Sequence, residues 1–366
     1  MQTAISTNHT PKTRRTTHEI NFLLSFKHFK QYNRMANESE NKLLFRMHHI
    51  IPRGLASSFD IPDSEITLPP SPQDIEIQMT WGKVAAKAWG PVNGRPLIAI
   101  HGWLDNCGTF DTLIPLLPKD LRIIAVDIPG HGLSSHFPPD IAYNYVDTLL
   151  AVERMFERFQ WKKCSFLVHS LGGATAMLYA GVFPEKVEKV ICLDIIRATP
   201  TISATVGFRL RKTVGKLLKY EADIIAGPEE PISYESAVER WVSGTFGSLD
   251  EKACRILCQR GLKKLDGGYV FSRDRRLLAA PLAFIPKEDQ LILARKTTAD
   301  VLVIKFIDGP YFEDPEDYQE HMEALRTSSK CVRYVEIEGK HHTHLTHPET
   351  VAPIINDFLN YRSDSV

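Results

Sequence analysis

Residues 75–81 alternate apolar and polar positions, and after Gly82 a second stretch follows over residues 83–89. Period-two alternation broken by a glycine predicts an antiparallel hairpin. Six continuous apolar runs come next, at residues 96–100, 122–126, 165–168, 190–193, 301–306 and 332–337, separated mostly by segments of helix length. Runs that are apolar on both faces are those of parallel strands covered on each side by helices. Hairpin and runs together predict an eight-stranded, mostly parallel, doubly wound sheet, an α/β architecture. In such sheets ligands gather beyond the carboxyl ends of the strands. The residues just after each run are therefore the candidates for chemistry.

The interval from about 197 to 299 carries no parallel-strand signal. Its helix-like segments, 208–226, 234–243, 250–262 and 273–278, predict a helical cap inserted between strands 6 and 7, because a structureless loop of that length is rare. The expected organisation is an N-terminal extension over 1–60, a core in two parts over 61–196 and 300–366, and the cap over 197–299. The extension reads as a disordered tail. Between Met1 and Arg34 it has six Lys/Arg and one acid, Glu19, which is also compatible with mitochondrial targeting. Met35 offers a second possible start. The proline-rich residues 61–74 read as a linker.

Lys+Arg and Asp+Glu each number 44, so there is no charge footprint for nucleic acid, and no apolar run is long enough to span a membrane. The six cysteines lack Cys-x-x-Cys spacing, and Cys254 and Cys258 stand one helical turn apart. They read as reduced core residues, which implies a cytoplasmic protein. The last residues, Ser363-Asp-Ser-Val, lack the Ser-Lys-Leu peroxisomal address.

After the first run stands His101-Gly-Trp-Leu-Asp-Asn, and after the second Asp127-Ile-Pro-Gly-His-Gly-Leu-Ser134. The third run leads to Ser170 within His169-Ser-Leu-Gly-Gly, the fourth to Asp194, the fifth to Asp308 and the sixth to Gly339-Lys-His-His342. A strand, a sharp turn carrying serine and a glycine-rich helix start describe a nucleophile elbow, although Val168 occupies the position usually held by glycine. A neutral hydroxyl needs a base, and the base needs an orienting carboxylate. His341 is the expected base, with His342 its competitor. Asp308 occupies the commonest place for the acid and Asp194 a second allowed one. The backbone N–H groups of Trp103 and Leu171 are the expected oxyanion donors. Asp127, Gly130, Gly132 and Ser134 read as turn residues, and His169 as a packed neighbour of the site. A metal site among His341, His342, His344 and His347 is disfavoured, because no cysteine or carboxylate at ligand spacing accompanies them. Neither a cofactor nor a metal is expected.

With Phe271-Ser-Arg-Asp-Arg added to these motifs, residues 75–362 resemble the α/β hydrolases, and among them the serine hydrolase-like family. The resemblance implies a cap-bearing fold, a serine nucleophile and no cofactor. Haloalkane dehalogenases and their luciferase relatives are more distantly similar. They also place Val two residues before the nucleophile, and their acid lies in a segment resembling Asp194-Ile-Ile-Arg-Ala-Thr-Pro, while Gly309 stands where the commoner acid would fall. That resemblance favours Asp194 over Asp308, and serine at 170 argues against dehalogenation. The expected activity is hydrolysis of a small carboxylic ester or thioester, in detoxification or digestion. Alternatives are a lipid or amide hydrolase, or a non-catalytic binding protein that keeps the fold. The oligomeric state is not readable. Phe208, Trp241, Phe246 and Phe271 would suit a hydrophobic group of the substrate or the cap's own core.

Overall fold

The structure, a computed structural model, describes residues 72–199, 205–227, 229–245, 247–279, 285–310 and 314–361. The predicted extension with its targeting signal and Met35, most of the linker, Phe246 and the last residues Ser363-Asp-Ser-Val lie outside them. Residues 63–201 and 207–366 form one unit, and the elements that follow belong to it. A second unit, 1–62 with 202–206, lies almost wholly outside the described residues.

The alternating stretches pair as predicted. Strand β1 (Gln73–Met79) runs antiparallel to β2 (Gly82–Trp89), so the linker ends before Gln73. The apolar runs become β3 (Arg95–Ile100), β4 (Leu121–Val126), β5 (Cys164–His169) and β6 (Val187–Leu193), with β9 (Asp300–Phe306) and β10 (Val332–Ile337) after the insertion. The order across the eight-stranded sheet is β1-β2-β4-β3-β5-β6-β9-β10. All pairs from β4 to β10 are parallel. β10 is an edge strand with half-exposed positions, not a run buried on both faces. Edge position is consistent with its polar residues, Tyr334 and Glu336 being exposed on one face and Arg333 half-buried on the other, where it pairs with Asp357.

The pleat sends successive side chains to opposite faces. Ile98, Ile100, Phe166, Val168, Val190 and Cys192 face one core, shared with helices Tyr145–Phe159 and Leu171–Val182. Leu97, Ala99, Leu167, Ile191 and Leu193 face the other, shared with helix Pro348–Asn360. The Leu171–Val182 helix is buried along most of its length because it lies against the middle of the sheet. Its close approach depends on Gly172, where a Cβ would stand 2.2 Å from the Ile100 carbonyl oxygen.

Between β6 and β9 the chain forms helices Val206–Ala226, Tyr234–Gly244 and Glu251–Gly261. The insertion is not all helical. An antiparallel hairpin, β7 (Leu262–Leu265) with β8 (Gly268–Phe271), follows the third helix, and the segment read as helix 273–278 is a single 3₁₀ turn, Arg275–Leu278. Asp266-Gly267 supplies the turn, with Gly267 at φ +88°, a local hairpin signal that outweighs helical patterning. Trp241 is buried and meets Phe271 edge-on at 5.6 Å, inside the insertion's own core with Leu257 and Cys254, whereas Phe208 is exposed. All six cysteines are free thiols, and five are buried.

Gly172→Ala is expected to destabilise the fold by about 1–3 kcal/mol, because the added methyl meets backbone that cannot step aside. Gly215→Ala, in helix Val206–Ala226 with nothing within 4 Å of the new methyl, is expected to stabilise by up to about 1 kcal/mol. Urea denaturation of the two variants beside the parent checks both signs.

Candidate active site

β5 ends at His169, and Ser170 turns the chain into the helix that begins at Leu171. Ser170 sits at φ +52°, ψ −115°, a conformation rarely open to residues with a side chain. It is held there at both ends. Its N–H donates to Leu193 O at 3.2 Å, continuing the sheet, and its own carbonyl accepts from Gly173 N at 2.9 Å, opening the helix. The strain turns the half-buried serine out of the sheet, at a helix N-terminus whose first N–H groups have no partner within the helix. Val168 does not obstruct this turn. It is a fully buried strand residue, level with Ile100 and Cys192 on the neighbouring strands.

Asp194 follows β6 at φ +73°, and its side chain is completely buried. A buried carboxylate requires partners, and this one has three. His341 Nδ1 donates to Oδ2 at 2.5 Å, while Lys305 Nζ and Phe306 N donate to Oδ1 at 2.5 and 3.2 Å. Burial pushes the Asp194 carboxyl up, but His341 and Lys305 outweigh it and hold the group below the usual range. For His341, burial lowers the pKa and the Asp194 carboxylate opposes it, with a net lowering.

Asp308 is exposed and is not brought to His341; its N–H donates to Gly339 O at 3.0 Å. The two sequence-level acid positions converge on one volume. A Cβ at Gly309 would stand 2.5 Å from an Asp194 carboxylate oxygen, so the chain has room for an acid from β6 or from the β9 turn, and not for both. His342 points elsewhere, to Ser248 Oγ at 2.7 Å and Asp105 Oδ2 at 3.2 Å. His344 meets Thr109 Oγ1 at 2.9 Å, and His347 is exposed. The four histidines therefore do not converge on one point.

Trp103 follows β3 in a bend, with its indole N–H donating to Leu277 O at 2.8 Å. His169 is fully buried and donates from Nε2 to the carbonyl of His341 at 2.9 Å, tying the strand that leads to Ser170 to the loop that carries His341. Burial pushes its pKa down to about 3. Asp127 accepts from Cys107 N, Leu133 N and the buried Arg260, which joins the turn at 127–134 to the insertion. Ser134 closes the same turn on Asp127 O and Ala85 N. The insertion also bonds the other strand-end loops, through Asn106 Nδ2 to Leu257 O, Asp274 N to Gly130 O and Lys340 Nζ to Gly247 O.

Sequence reasoning missed Lys305, Arg260 and Asp105. Lys305 carried a signal, since a cation inside a run buried on both faces requires a buried anion. Arg260 lay in a helix with polar neighbours and carried none. Asp105 stood inside the His101 motif, and nothing local distinguished it from a turn residue.

A family model described as alpha/beta hydrolase fold matches residues 95–239. A Drosophila melanogaster protein named "Probable serine hydrolase" is 40% identical over 293 residues, covering 78% of this chain and 87% of the relative. A Danio rerio serine hydrolase-like protein is 36% identical over 293 residues, 79% of this chain and 89% of the relative. The crystal structure of a hypothetical protein from Pseudomonas aeruginosa superposes with a TM-score of 0.70 at 29% identity, over 79% of this chain and 99% of that one. With sheet order, elbow and sequence similarity in agreement, the chain belongs to the serine hydrolase-like family of the α/β hydrolase fold.

Proposed function

We propose that the protein hydrolyses a carboxylic ester or thioester, with Ser170 as nucleophile, His341 as base and Asp194 as the carboxylate that orients it. The observation that carries this reading is the 2.5 Å bond from His341 Nδ1 to the buried Asp194 carboxylate; Ser170 itself is held in a strained strand-to-helix turn. With Nδ1–H committed to Asp194, the neutral imidazole presents its lone pair on Nε2, the tautomer a general base requires. His341 Nε2 takes the proton from Ser170 Oγ as the oxygen attacks the acyl carbon. The N–H groups of Leu171 and Trp103 are the donors for the resulting oxyanion. The proton then passes to the leaving alcohol or thiol, and an acyl-serine remains. Water, deprotonated by His341, attacks the acyl-enzyme and releases the acid.

The insertion serves as a cap in this reading. Its hydrogen bonds to the loops after β3, β4 and β10 support this role, because walls around the scissile bond exclude water. Trp241, enclosed in the insertion's core, is structural. The exposed Phe208 has no assigned role.

A fluorophosphonate probe is expected to label the parent protein and not Ser170→Ala, with hydrolysis of short acyl esters and thioesters lost by on the order of 10⁵–10⁶-fold in the variant. A folded parent that resists labelling and turns over no ester would sink the proposal in favour of a binding protein. Asp194→Asn is expected to lower kcat by about 10³–10⁴-fold, because the amide cannot hold the required tautomer. Asp308→Asn is expected to stay near the parent rate. The reverse ranking would assign the acid to Asp308.

A further inference from the structure

Against the His341 ring lies a buried group of three side chains: Asp105 from the loop after β3, His169 from the end of β5, and His342 from the loop after β10. One ligand-type atom from each lies within 4.8 Å of the others. Asp105 Oδ2 is 3.2 Å from His342 Nε2 and 3.7 Å from His169 Nδ1. Donor atoms around a tetrahedral zinc ion, at bonds of about 2.0–2.2 Å, stand roughly 3.3–3.5 Å apart. The spacing suits a first-row divalent cation and is too wide, on the His169 side, for a direct hydrogen bond.

The carbonyl of His341 can only accept, so the 2.9 Å contact from His169 Nε2 fixes the proton on that nitrogen. In the neutral ring Nδ1 then carries a lone pair. It is buried, has no hydrogen-bond partner, and faces a carboxylate oxygen that also has only lone pairs to offer. Two acceptors face each other across a buried gap, and a cation between them turns repulsion into coordination.

The surrounding groups already suit that occupant. A metal-bound histidine commonly donates its other ring N–H to a carbonyl, carboxylate or water. His169 does so to His341 O. His342 has Ser248 Oγ at 2.7 Å from Nδ1, and a hydroxyl can either donate to that nitrogen or accept from it. His342 can therefore move its proton from Nε2 to Nδ1 when Nε2 takes a metal, without losing a partner. Three protein ligands leave a fourth position for water.

We infer that Asp105, His169 and His342 form a binding site for a first-row divalent transition metal, of which Zn²⁺ is the natural probe, separate from the Ser170–His341–Asp194 group. The site draws its ligands from the carboxyl ends of three strands, Asp105 and His342 from the loops after β3 and β10 and His169 as the last residue of β5. One ligand, His169, directly precedes Ser170 and bonds the backbone of His341, so a bound ion fixes the two catalytic loops relative to each other. This inference stands on the ligand geometry and does not require that the protein be a hydrolase.

The test is direct metal binding to the full-length protein, by equilibrium dialysis against Zn²⁺ with elemental analysis, and by Co²⁺ titration followed by visible absorption. One ion per chain is expected, with a tetrahedral Co²⁺ spectrum. Binding is expected to disappear in Asp105→Asn and His342→Gln, to weaken about 10–100-fold in Ser248→Ala through loss of the hydroxyl that holds His342 Nδ1, and to persist in His347→Gln and Ser170→Ala. Circular dichroism establishes that each variant is folded; Ser248→Ala, at a partly buried hydroxyl, keeps the test decisive should the ligand variants unfold. Absence of stoichiometric binding to the parent, or an affinity unchanged in Ser248→Ala and in every folded ligand variant, overturns the site. Loss of binding in Ser170→Ala would place the ion at the triad and overturn it as well.

Discussion

The buried carboxylate of Asp194 is the constraint on which the site depends. A fully buried anion is tolerable only when its lone pairs are taken up, and here the three donors come from β9, through Lys305 and Phe306, and from the loop after β10, through His341. The same bonds that solvate the charge thus fix where β6 ends relative to β9 and where the imidazole lies. Gly309 is the counterpart of this arrangement, since any side chain there would occupy the volume of the carboxylate. The left-handed backbone at Asp194 and at Ser170 is maintained by the sheet bonds around them, Asp194 N to Ile304 O and Ser170 N to Leu193 O. Rigid strands therefore hold two residues in conformations that an isolated chain would leave.

A second buried anion performs a related task on the other side of the sheet's carboxyl edge. Asp127 gathers two backbone N–H groups and the Arg260 guanidinium, which binds the turn after β4 to the end of helix Glu251–Gly261. Asp105 is a third, placed between two histidines. Three carboxylates at three strand ends, each meeting side chains distant in sequence, hold the loops of the core, and Asp127 ties the core to the inserted segment. The histidines around Ser170 are therefore not interchangeable. His341 faces Asp194, His342 faces Asp105 and Ser248, His344 faces Thr109, and His169 links the strand before Ser170 to the loop of His341.

The strands of the sheet and the position of Ser170 were legible in the chain because each rests on local periodicity or on a short motif. Period-two alternation over residues 75–81 suits an edge strand half-buried on one face, as β1 is, and continuous apolar runs belong where both faces are covered. The edge exposure of β10 and the hairpin at Asp266-Gly267 were less legible. The first depends on which strand ends the sheet, and the second on one dipeptide within a helix-rich interval. Gly309 was visible as a departure from the commoner acid position, but its meaning required the distance to Asp194.

The sequence by itself determined the α/β architecture, the elbow at Ser170 and a short list of histidines and aspartates at strand ends, because hydrophobic patterning and turn chemistry act over a few residues. Only the tertiary structure decided which aspartate meets which histidine. Asp194 and His341 are 147 positions apart, and Asp105 and His342 are 237 apart. Their pairing is set by the order in which strands assemble and by the demand that each buried charge find a partner, neither of which is written locally in the chain.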